Sequence, residues 1–326
     1  MRKILITGGA GFVGRHFTRH FLDAGDEVHV VDCVAPLTGG VDPTVGWPLF
    51  DPRDYANFMF YPEDCRDFFN RERATDFDYA IHLAAMVGGR VMIEGNPIAV
   101  ADDLSIDSEY WKWATIAKPS KTLCFSSSAA YPIKLQRKEG YALLREDMIR
   151  FDDDIGMPDM SYGWAKLTCE YLARLAYEKH GLRSICYRPF SGYGEDQDDS
   201  YPFPSICKRA LALKGAATLT VWGSGAQMRD FIHIDDCVAG AVMMMDKIND
   251  GSAVNLSTGL YTSFIEFAQL AAQLCGYNPE VKGMSDKPSG VHARGGDTAL
   301  QRKLEFSAAI DFRTGVKRAL DYYCTR

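Results

Sequence analysis

The sequence of 326 residues lacks the defining features of several large protein classes. It has no run of about 18 or more apolar residues, so we expect no membrane-spanning helix. It has no excess of positive charge, because 36 lysines and arginines stand against 43 aspartates and glutamates and give a net charge of −7. A general nucleic-acid-binding protein needs a basic surface, so binding to nucleic acid is not expected. The first apolar segment, residues 4–6, ends in glycines and is too short for a secretory signal peptide.

The nine cysteines form no recognisable framework. Their number is odd, they are scattered, and no two have the CxxC spacing. This pattern favours reduced thiols and a cytoplasmic location, and it predicts neither disulfides nor a metal site. The sequence also has no internal repeat and no linker rich in glycine and serine.

The first 190 residues alternate between short apolar runs and longer amphipathic segments. Strands are predicted at residues 3–7, 28–31, 79–85, 122–126 and 184–187. Helices are predicted at residues 12–24, 66–73, 98–117 and 162–179. Such alternation indicates the α/β class, as a Rossmann-type, doubly wound parallel sheet with helices on both faces.

After residue 190 the elements become shorter and are separated by Gly, Pro, Asp and Ser. Helices are predicted at residues 202–213, 235–245 and 262–275, and strands at 219–222 and 253–256. We therefore expect two domains, residues 1–190 and a smaller C-terminal α/β substrate domain of residues 191–326, with the chain crossing between them near its C-terminus. Residues 35–54 and 134–159 are expected to form surface loops.

Glycines 8, 11 and 14 lie between the first predicted strand and the first predicted helix. A turn without side chains lets the backbone approach a pyrophosphate, and a helix N-terminus adds N–H donors and a positive dipole. The pattern predicts a dinucleotide site at this turn, formed by Gly8, Gly11, Phe12, Val13 and Gly14.

Asp32 follows the second predicted strand, 18 residues after Gly14. A carboxylate at this position accepts hydrogen bonds from the adenosine ribose hydroxyls of NAD and repels the 2′-phosphate of NADP. NAD is therefore the predicted cofactor, although Arg15 could approach a 2′-phosphate.

Tyr162 and Lys166 have the YxxxK spacing on a predicted helix, which places both side chains on one face. A lysine ammonium, together with the positive nicotinamide, favours the phenolate and lowers the tyrosine pKa toward neutrality. The phenol could then exchange a proton with a sugar hydroxyl while a hydride moves. A serine-rich segment, residues 126–128, follows the strand predicted at 122–126, where ligands bind in open parallel sheets.

Together these motifs resemble the extended short-chain dehydrogenase/reductases of the nucleotide-sugar epimerase, dehydratase and reductase group, over nearly the whole chain. The supporting segments are TGGAGFVG at 7–14, Asp32, Asp64-Cys65, HLAA at 82–85, SSSAAYP at 126–132, YGWAK at 162–166, RPF at 188–190 and RDFIH at 229–233.

The resemblance implies a role for each matching residue. Asp64 and Cys65 would contact the adenine, and Leu83, Ala84 and Ala85 would line the cofactor path. Ser127, with Ser128 as the alternative, Tyr162 and Lys166 would be catalytic, and Tyr162 and Lys166 would also contact the cofactor. The substrate, a nucleotide-diphosphate sugar, would be bound by Met86, Gly88, Ser191, Arg229 and Arg294.

Departures from the family narrow the reaction. Dehydratases acting at carbons 5 and 6 carry Asp-Glu where this chain has Ser128-Ala129. The loop at 84–89 resembles that of GDP-fucose synthase, and Tyr131-Pro132 resembles that enzyme and GDP-mannose 3,5-epimerase. Both use a cysteine where this chain has Ala129, and their second proton-transfer group has no counterpart near residues 201–203.

What remains suffices for NAD-dependent epimerisation at carbon 4 through a 4-keto intermediate. The alternatives are an NAD(P)H-dependent keto-sugar reductase, similar to GDP-fucose synthase, and a non-enzymatic nucleotide-sensing regulator. Dimeric relatives pair the helices that correspond to residues 98–117 and 162–179, so a homodimer is expected, with Trp111 and Trp113 either in that contact or in the core.

Overall fold

A parallel sheet of seven strands lies at the centre of the part of the chain that the structure describes. This computed structural model describes residues 1–36, 38–73, 76–86, 88, 90–287 and 290–325, and for Arg90 and Val91 the backbone alone. The strands of the described residues, in all sheets together, are β1 (Lys3–Thr7), β2 (Glu27–Val31), β3 (Phe58–Tyr61), β4 (Tyr79–His82), β5 (Lys121–Phe125), β6 (Ser184–Pro189), β7 (Ser191–Tyr193), β8 (Thr218–Trp222), β9 (Met228–Arg229), β10 (Phe231–His233), β11 (Asp250–Leu256), β12 (Thr262–Ser263), β13 (Glu280–Met284) and β14 (Ala293–Arg294). The seven strands of the central sheet lie in the order β11-β6-β5-β4-β1-β2-β3.

Helices cover both faces of this sheet. They are α1 (Phe12–Asp23), α2 (Cys65–Arg71), α3 (Arg90–Gly95), α4 (Pro97–Val100), α5 (Asp103–Ala117), α6 (Met160–His180), α7 (Pro202–Ala212), α8 (Ile234–Met244), α9 (Phe264–Leu274), α10 (Ala299–Lys303) and α11 (Phe312–Cys324). Ile4 and Ile6 of β1 pack with α1 and α8, whereas Leu5 packs with α2, α5 and α6 on the opposite face. Strands buried on both faces read as continuous apolar runs, which is why they could be predicted. The doubly wound Rossmann-type fold is confirmed.

A second hydrophobic core lies among α7, α9 and α11. Phe203, Phe267 and Phe312 contribute to it from these helices, and Phe231 of β10 stacks on Phe312 with ring centroids 4.6 Å apart. Short strand pairs accompany this core, namely β10 with β7, β13 with β8, and β9 with both β12 and β14. This smaller unit stands next to the carboxyl ends of the sheet strands, because β7 follows directly after β6.

Several predicted boundaries were wrong. The single helix at 98–117 is divided into α4 and α5 by a turn at Ala101 and Asp102. The helix predicted from residue 262 begins at Phe264, because Thr262 and Ser263 pair with β9 and the Ser263 side chain accepts the Glu266 N–H. Strand β3 and helix α11 were not predicted.

The second half of the chain returns to the main sheet. Strand β11 pairs with β6 and forms one edge of the seven-stranded sheet. Helix α8 packs on the same face of this sheet as α1. The division at residue 190 therefore does not separate the sheet from all later residues. Residues 134–159 also differ from the surface loop that we expected, because Gln136, Leu144 and Asp159 are buried.

Candidate active site

The glycine turn between β1 and α1 is shaped by close packing against its neighbours. Gly8 has a φ of +70°, and a Cβ there would lie 2.6 Å from the Ala84 nitrogen. A Cβ on Gly14 would lie 2.2 Å from the Gly8 carbonyl oxygen, whereas one on Gly11 would meet only that oxygen, at 3.3 Å. Gly8 and Gly14 are thus required by the fold, whereas a Cβ at Gly11 would make a single tight contact at the helix N-terminus.

Helix α1 has no side-chain cap. Its N-cap residue is Gly11, and its first turn contains no acidic residue. The N–H groups of the first turn have no carbonyl partner within the helix. They are therefore suited to donating hydrogen bonds to a pyrophosphate. This observation fits the binding of a dinucleotide at the turn, with Phe12 and Val13 contributing backbone N–H groups.

Asp32 lies at the end of β2, next to the same turn. Its Oδ2 accepts the Ala10 N–H at 3.0 Å and its Oδ1 accepts the Val34 N–H at 2.8 Å. Each carboxylate oxygen keeps a lone pair for a ribose hydroxyl. Burial raises the pKa of this carboxyl, and the hydrogen bonds from Val34 and Ala10 counteract that effect.

Arg15 is held by protein groups near Asp32. Its guanidinium is buried and pairs with Asp196 at 2.8 Å, and it also donates to the Ala10 carbonyl oxygen. An arginine fixed in this way is not available to bind a 2′-phosphate. Arg15 therefore does not favour NADP over NAD.

The remaining predicted cofactor residues lie at the neighbouring strand ends. Asp64 follows β3, caps α2 and pairs with Arg66 at 2.6 Å, which lowers the pKa of its carboxyl. Cys65 is buried beside it. Leu83, Ala84 and Ala85 follow β4, and the Leu83 N–H donates to the Thr7 carbonyl oxygen. The strand ends β1, β2, β3 and β4 thus form one continuous edge.

Ser127 is the serine that the structure brings to Tyr162. It precedes the short 3-10 turn Ser128–Ala130, its Oγ accepts the Ala129 N–H at 3.1 Å, and it lies close enough to the Tyr162 phenol to lower the pKa of that group. Ser128 is buried within the turn. Of the two alternatives, Ser127 is therefore the one with the geometry of a catalytic partner.

The close approach of α6 to this turn depends on Gly163. A Cβ at Gly163 would lie 2.4 Å from the Ala129 carbonyl oxygen, so a larger residue would push the helix away. Tyr162 is in the first turn of α6, and the Lys166 Nζ lies 5.8 Å from the centre of its ring. The predicted Ser–Tyr–Lys set is brought together.

The protein groups alone do not lower the pKa of Tyr162. Burial is the largest influence and raises the pKa of this phenol, the nearby Lys166 and Ser127 lower it, and Asp103 and Asp107 raise it further. The pKa set by the protein groups is therefore above the ordinary value, mainly because of burial. The sequence prediction of a lowered pKa also included the positive nicotinamide, and it did not include the two aspartates.

The two predicted diphosphate residues, Arg229 and Arg294, lie side by side. Strands β9 and β14 are parallel neighbours, and these two residues are register partners. Arg229 donates to the carbonyl oxygens of Met228 and Val291 at 2.7 and 3.0 Å. Ser191 starts β7 and donates its N–H to the carbonyl oxygen of Asp230, the residue after Arg229.

Arg294 is tied to the segment that precedes the catalytic helix. Its guanidinium pairs with Asp159 at 2.8 Å and donates to Gln136 Oε1 at 2.6 Å. Asp159 is the N-cap residue of α6, three residues before Tyr162. A ligand held by Arg294 would therefore be linked to the start of that helix.

The loop after β4 contributes Met86 and Gly88. The Met86 N–H donates to Asp103 Oδ1. Gly88 is buried, and a Cβ there would lie 2.7 Å from the Met92 sulfur. Val87 and Gly89, which belong to the same predicted substrate loop, lie outside the described residues.

Sequence reasoning missed Asp103 and Asp107. They lie one turn apart on the buried side of α5, next to Lys166. The sequence did contain a signal for a buried acidic pair. Asp103 and Asp107 are four residues apart and share a helix face with the apolar residues Ile106 and Tyr110. The helix had been predicted as one element from residue 98, and this obscured the start of its buried face.

The chain was also compared with known proteins. It is 24% identical over 325 residues to the low-salt glycan biosynthesis protein Agl12 of Haloferax volcanii, covering 98% of both chains. It is 27% identical over 276 residues to GDP-L-fucose synthase 1 of Arabidopsis thaliana, covering 80% of both. Its fold matches the crystal structure of UDP-glucose 4-epimerase from Thermotoga maritima with a TM-score of 0.82, at 21% identity and 99% coverage of both chains.

A family model provides the assignment. The model described as the NAD dependent epimerase/dehydratase family matches residues 4–257. This range includes the glycine turn, Asp32, Ser127, Tyr162 and Lys166. In the described part of the chain, no helix is both long and apolar enough to cross a membrane. The chain belongs to the NAD dependent epimerase/dehydratase family.

Proposed function

We propose that this protein is an NAD-dependent nucleotide-sugar epimerase that inverts carbon 4 of a hexose through a transient 4-keto sugar. The observation that carries the proposal is the composition of the serine turn. Ser127 and Lys166 both lie close to Tyr162, while the next position able to hold a carbon acid/base is Ala129, whose side chain is buried. Hydride transfer at a sugar hydroxyl needs Ser127, Tyr162 and Lys166. Deprotonation of a ring carbon would need an acid/base group at the position of Ala129.

Ser127, Tyr162 and Lys166 each have a separate role at the reacting sugar hydroxyl. Ser127 donates a hydrogen bond to the reacting oxygen, and Tyr162 takes the hydroxyl proton and later returns it. Lys166 holds its ammonium near the phenol and would contact the nicotinamide ribose. NAD, when bound, would supply the acceptor and donor of the hydride that is exchanged at carbon 4.

The two arginines support a diphosphate as the anchor of the substrate. Guanidinium groups form charge-assisted, two-pronged contacts with phosphate oxygens. Because the contacts are made by the nucleotide and not by the hexose, the sugar would be free to turn over between the two hydride transfers. The structure neighbour from T. maritima was solved with UDP-glucose, which is consistent with such a substrate.

The test is a set of nucleotide sugars with deuterium at carbon 4, incubated with the protein and no added NADH or NADPH. We expect products of unchanged mass that keep the deuterium at carbon 4, with no net change in absorbance at 340 nm. In deuterium oxide, no solvent label should enter the ring carbons. Label at carbon 3 or 5 would contradict the proposal.

Tyr162→Phe tests the proton step itself. The variant removes one hydroxyl and should bind NAD as the parent does, while its turnover falls by about 100-fold or more, the usual scale for a general acid/base. Near-normal turnover would remove Tyr162 from the mechanism.

A second candidate is reduction of a keto sugar. It is favoured by the similarity to GDP-L-fucose synthase 1 and by the resemblance of the sequence at 84–89 to the loop of GDP-fucose synthase. This reaction would need a full equivalent of NADH or NADPH for each product molecule. Conversion of a nucleotide 4-keto sugar that consumes one equivalent of NADH or NADPH, with no conversion of the sugars deuterated at carbon 4, would select reduction over epimerisation.

A further inference from the structure

Two aspartates are buried directly behind the catalytic helix. Asp103 and Asp107 lie one turn apart on α5, and their side chains are 0% and 1% exposed. Buried carboxylates are costly unless they are paired or hydrogen-bonded. Their position next to Lys166 therefore needs an explanation in terms of that residue.

Each aspartate uses one oxygen as an anchor. Asp103 Oδ1 accepts the Met86 N–H, and Asp107 Oδ1 is hydrogen-bonded to His82 Nε2 at 3.1 Å. Among the described residues, the second oxygen of each has no hydrogen-bond partner. Asp103 Oδ2 lies 3.8 Å from Lys166 Nζ, a distance for charge attraction and too long for a hydrogen bond.

His82 holds Asp107 without adding a charge. Its Nδ1 is hydrogen-bonded to Thr7 Oγ1 at 2.7 Å, and its ring stacks on Tyr110 with centroids 4.0 Å apart. Complete burial lowers the pKa of His82, an effect that Asp107 only partly offsets. A neutral imidazole that donates from Nε2 and accepts at Nδ1 satisfies both neighbours.

Lys166 therefore faces two carboxylates with one positive charge. Burial lowers the pKa of its ammonium, but Asp107 and Asp103 outweigh burial and keep the lysine charged. Burial also raises the pKa of Asp103 to about 6, although Lys166 counteracts it. When both aspartates are ionised, the cluster carries a net charge of −1, and a phenolate at Tyr162 would add a second.

We propose that Asp103 and Asp107 are positioning residues: their buried carboxylates hold the Lys166 ammonium behind Tyr162, and their negative charge disfavours a phenolate at Tyr162. The proposal rests on the proposed function only in assigning the acid/base role to Tyr162. It does not depend on which sugar reacts.

Ser127, Tyr201, Cys169 and Asp102 also lie near this cluster. Ser127 lowers the pKa of the Tyr162 phenol, and the pKa of Tyr201 is raised by burial and, to a smaller extent, by Tyr162. Cys169 is buried one turn beyond Lys166, and Asp102 borders Asp103 but is paired with Arg66 at 2.9 Å and is half exposed. Within this group, Asp103 and Asp107 are the buried carboxylates that act on both Lys166 and Tyr162.

The test is Asp103→Asn in the NAD-loaded protein. The amide oxygen can still accept the Met86 N–H, so the anchor stays while the negative charge is lost. We expect the acid limb of the pH–kcat profile to move down by about one pH unit, as removal of a nearby like charge predicts. Asp102→Asn is the matched control, because it removes the same charge from a solvated position and should move the limb little.

Phenolate absorbance near 295 nm gives a readout without turnover. The signal of Tyr162 is obtained by subtracting the titration of Tyr162→Phe from that of the parent, and likewise in the Asp103→Asn background. The midpoint should fall by a similar amount in Asp103→Asn. Should that variant fail to fold, Asp107→Asn, which keeps an acceptor for His82, is expected to move the midpoint in the same direction.

The two proposals fail separately. A midpoint that falls in a protein that epimerises no sugar would leave the aspartates in their role and overturn the proposed reaction. Midpoints in Asp103→Asn and Asp107→Asn that match the parent and Asp102→Asn would show a purely structural role and overturn this inference.

Discussion

Arg229 and Arg294, 65 positions apart in the sequence, are register partners on the parallel strands β9 and β14. Two guanidinium groups on adjacent strands would repel each other in the absence of counter-charge, and the Arg294 pair with Asp159 supplies part of it. A diphosphate bound at these two residues would add further negative charge.

Replacing either arginine should weaken nucleotide binding. For Arg229→Ala and Arg294→Ala we expect the Kd of the preferred nucleoside diphosphate to rise roughly 10- to 100-fold, the scale of about 1.5–3 kcal/mol for hydrogen bonds to a charged group. Calorimetric titration with UDP, GDP, dTDP and CDP would measure it. Arg313→Ala, which removes an exposed arginine of α11, should leave the Kd unchanged.

The cofactor preference should depend on Asp32. NAD should bind more tightly than NADP, because a 2′-phosphate would meet a carboxylate already fixed by the N–H groups of Ala10 and Val34. Asp32→Asn removes the charge and should narrow the difference by strengthening NADP binding. Titration of both dinucleotides into cofactor-free protein measures this, and equal affinities in the parent protein would contradict it.

The glycine turn should be sensitive to a single methyl group. Gly8→Ala and Gly25→Ala both place alanine at a positive φ, +70° and +79°, but a Cβ at Gly25 meets nothing within 4 Å. Both variants should lose about 1 kcal/mol of stability from backbone strain. Gly8→Ala should lose clearly more, because it also drives a Cβ into the Ala84 backbone. Thermal unfolding of the two variants side by side shows the difference, and equal losses would mean that the turn can shift.

A homodimer through α5 and α6 remains a prediction, and the structure changes the residues that carry it. Trp111 and Trp113 are buried in the core, whereas Ile116, Trp164 and Tyr171 are exposed, at 62%, 41% and 43%. Trp164→Glu combined with Tyr171→Glu should therefore give a monomer by light scattering after gel filtration. Met243→Glu, at an exposed apolar residue of α8, is the control that should leave the assembly unchanged. A parent protein that is already monomeric would end this prediction.

Much of the dinucleotide half was predictable because its signals are local. The glycine turn needs Gly8 and Gly14 for packing within a few residues of each other, and Asp32 follows a strand whose apolar residues mark its end. Tyr162 and Lys166 are fixed by the spacing of one helix. In each case a short stretch of sequence carries the constraint.

The parts that were missed depend on distant pairing. Strand β3 follows a proline-rich loop and is recognisable only from its pairing with β2. Asp103 and Asp107 act on Lys166, which lies on another helix, so their effect on the pKa of Tyr162 could not be read from the YxxxK spacing. Arg294 was predicted as a phosphate ligand, but its contact with Asp159 could not be read from a sequence separation of 135 residues.

Strand β11 comes late in the sequence but belongs to the central sheet, and this limits where the chain can be truncated. A fragment that ended at residue 190 would leave β6 as an open edge, with unpaired N–H and C=O groups ready to pair with another molecule. The same cut would remove α8, so that Tyr187 would lose the Ala241 carbonyl oxygen that its hydroxyl donates to, and Ile185 would be uncovered. Such a fragment should aggregate, whereas one that retains residues up to the end of β11 would keep the edge paired.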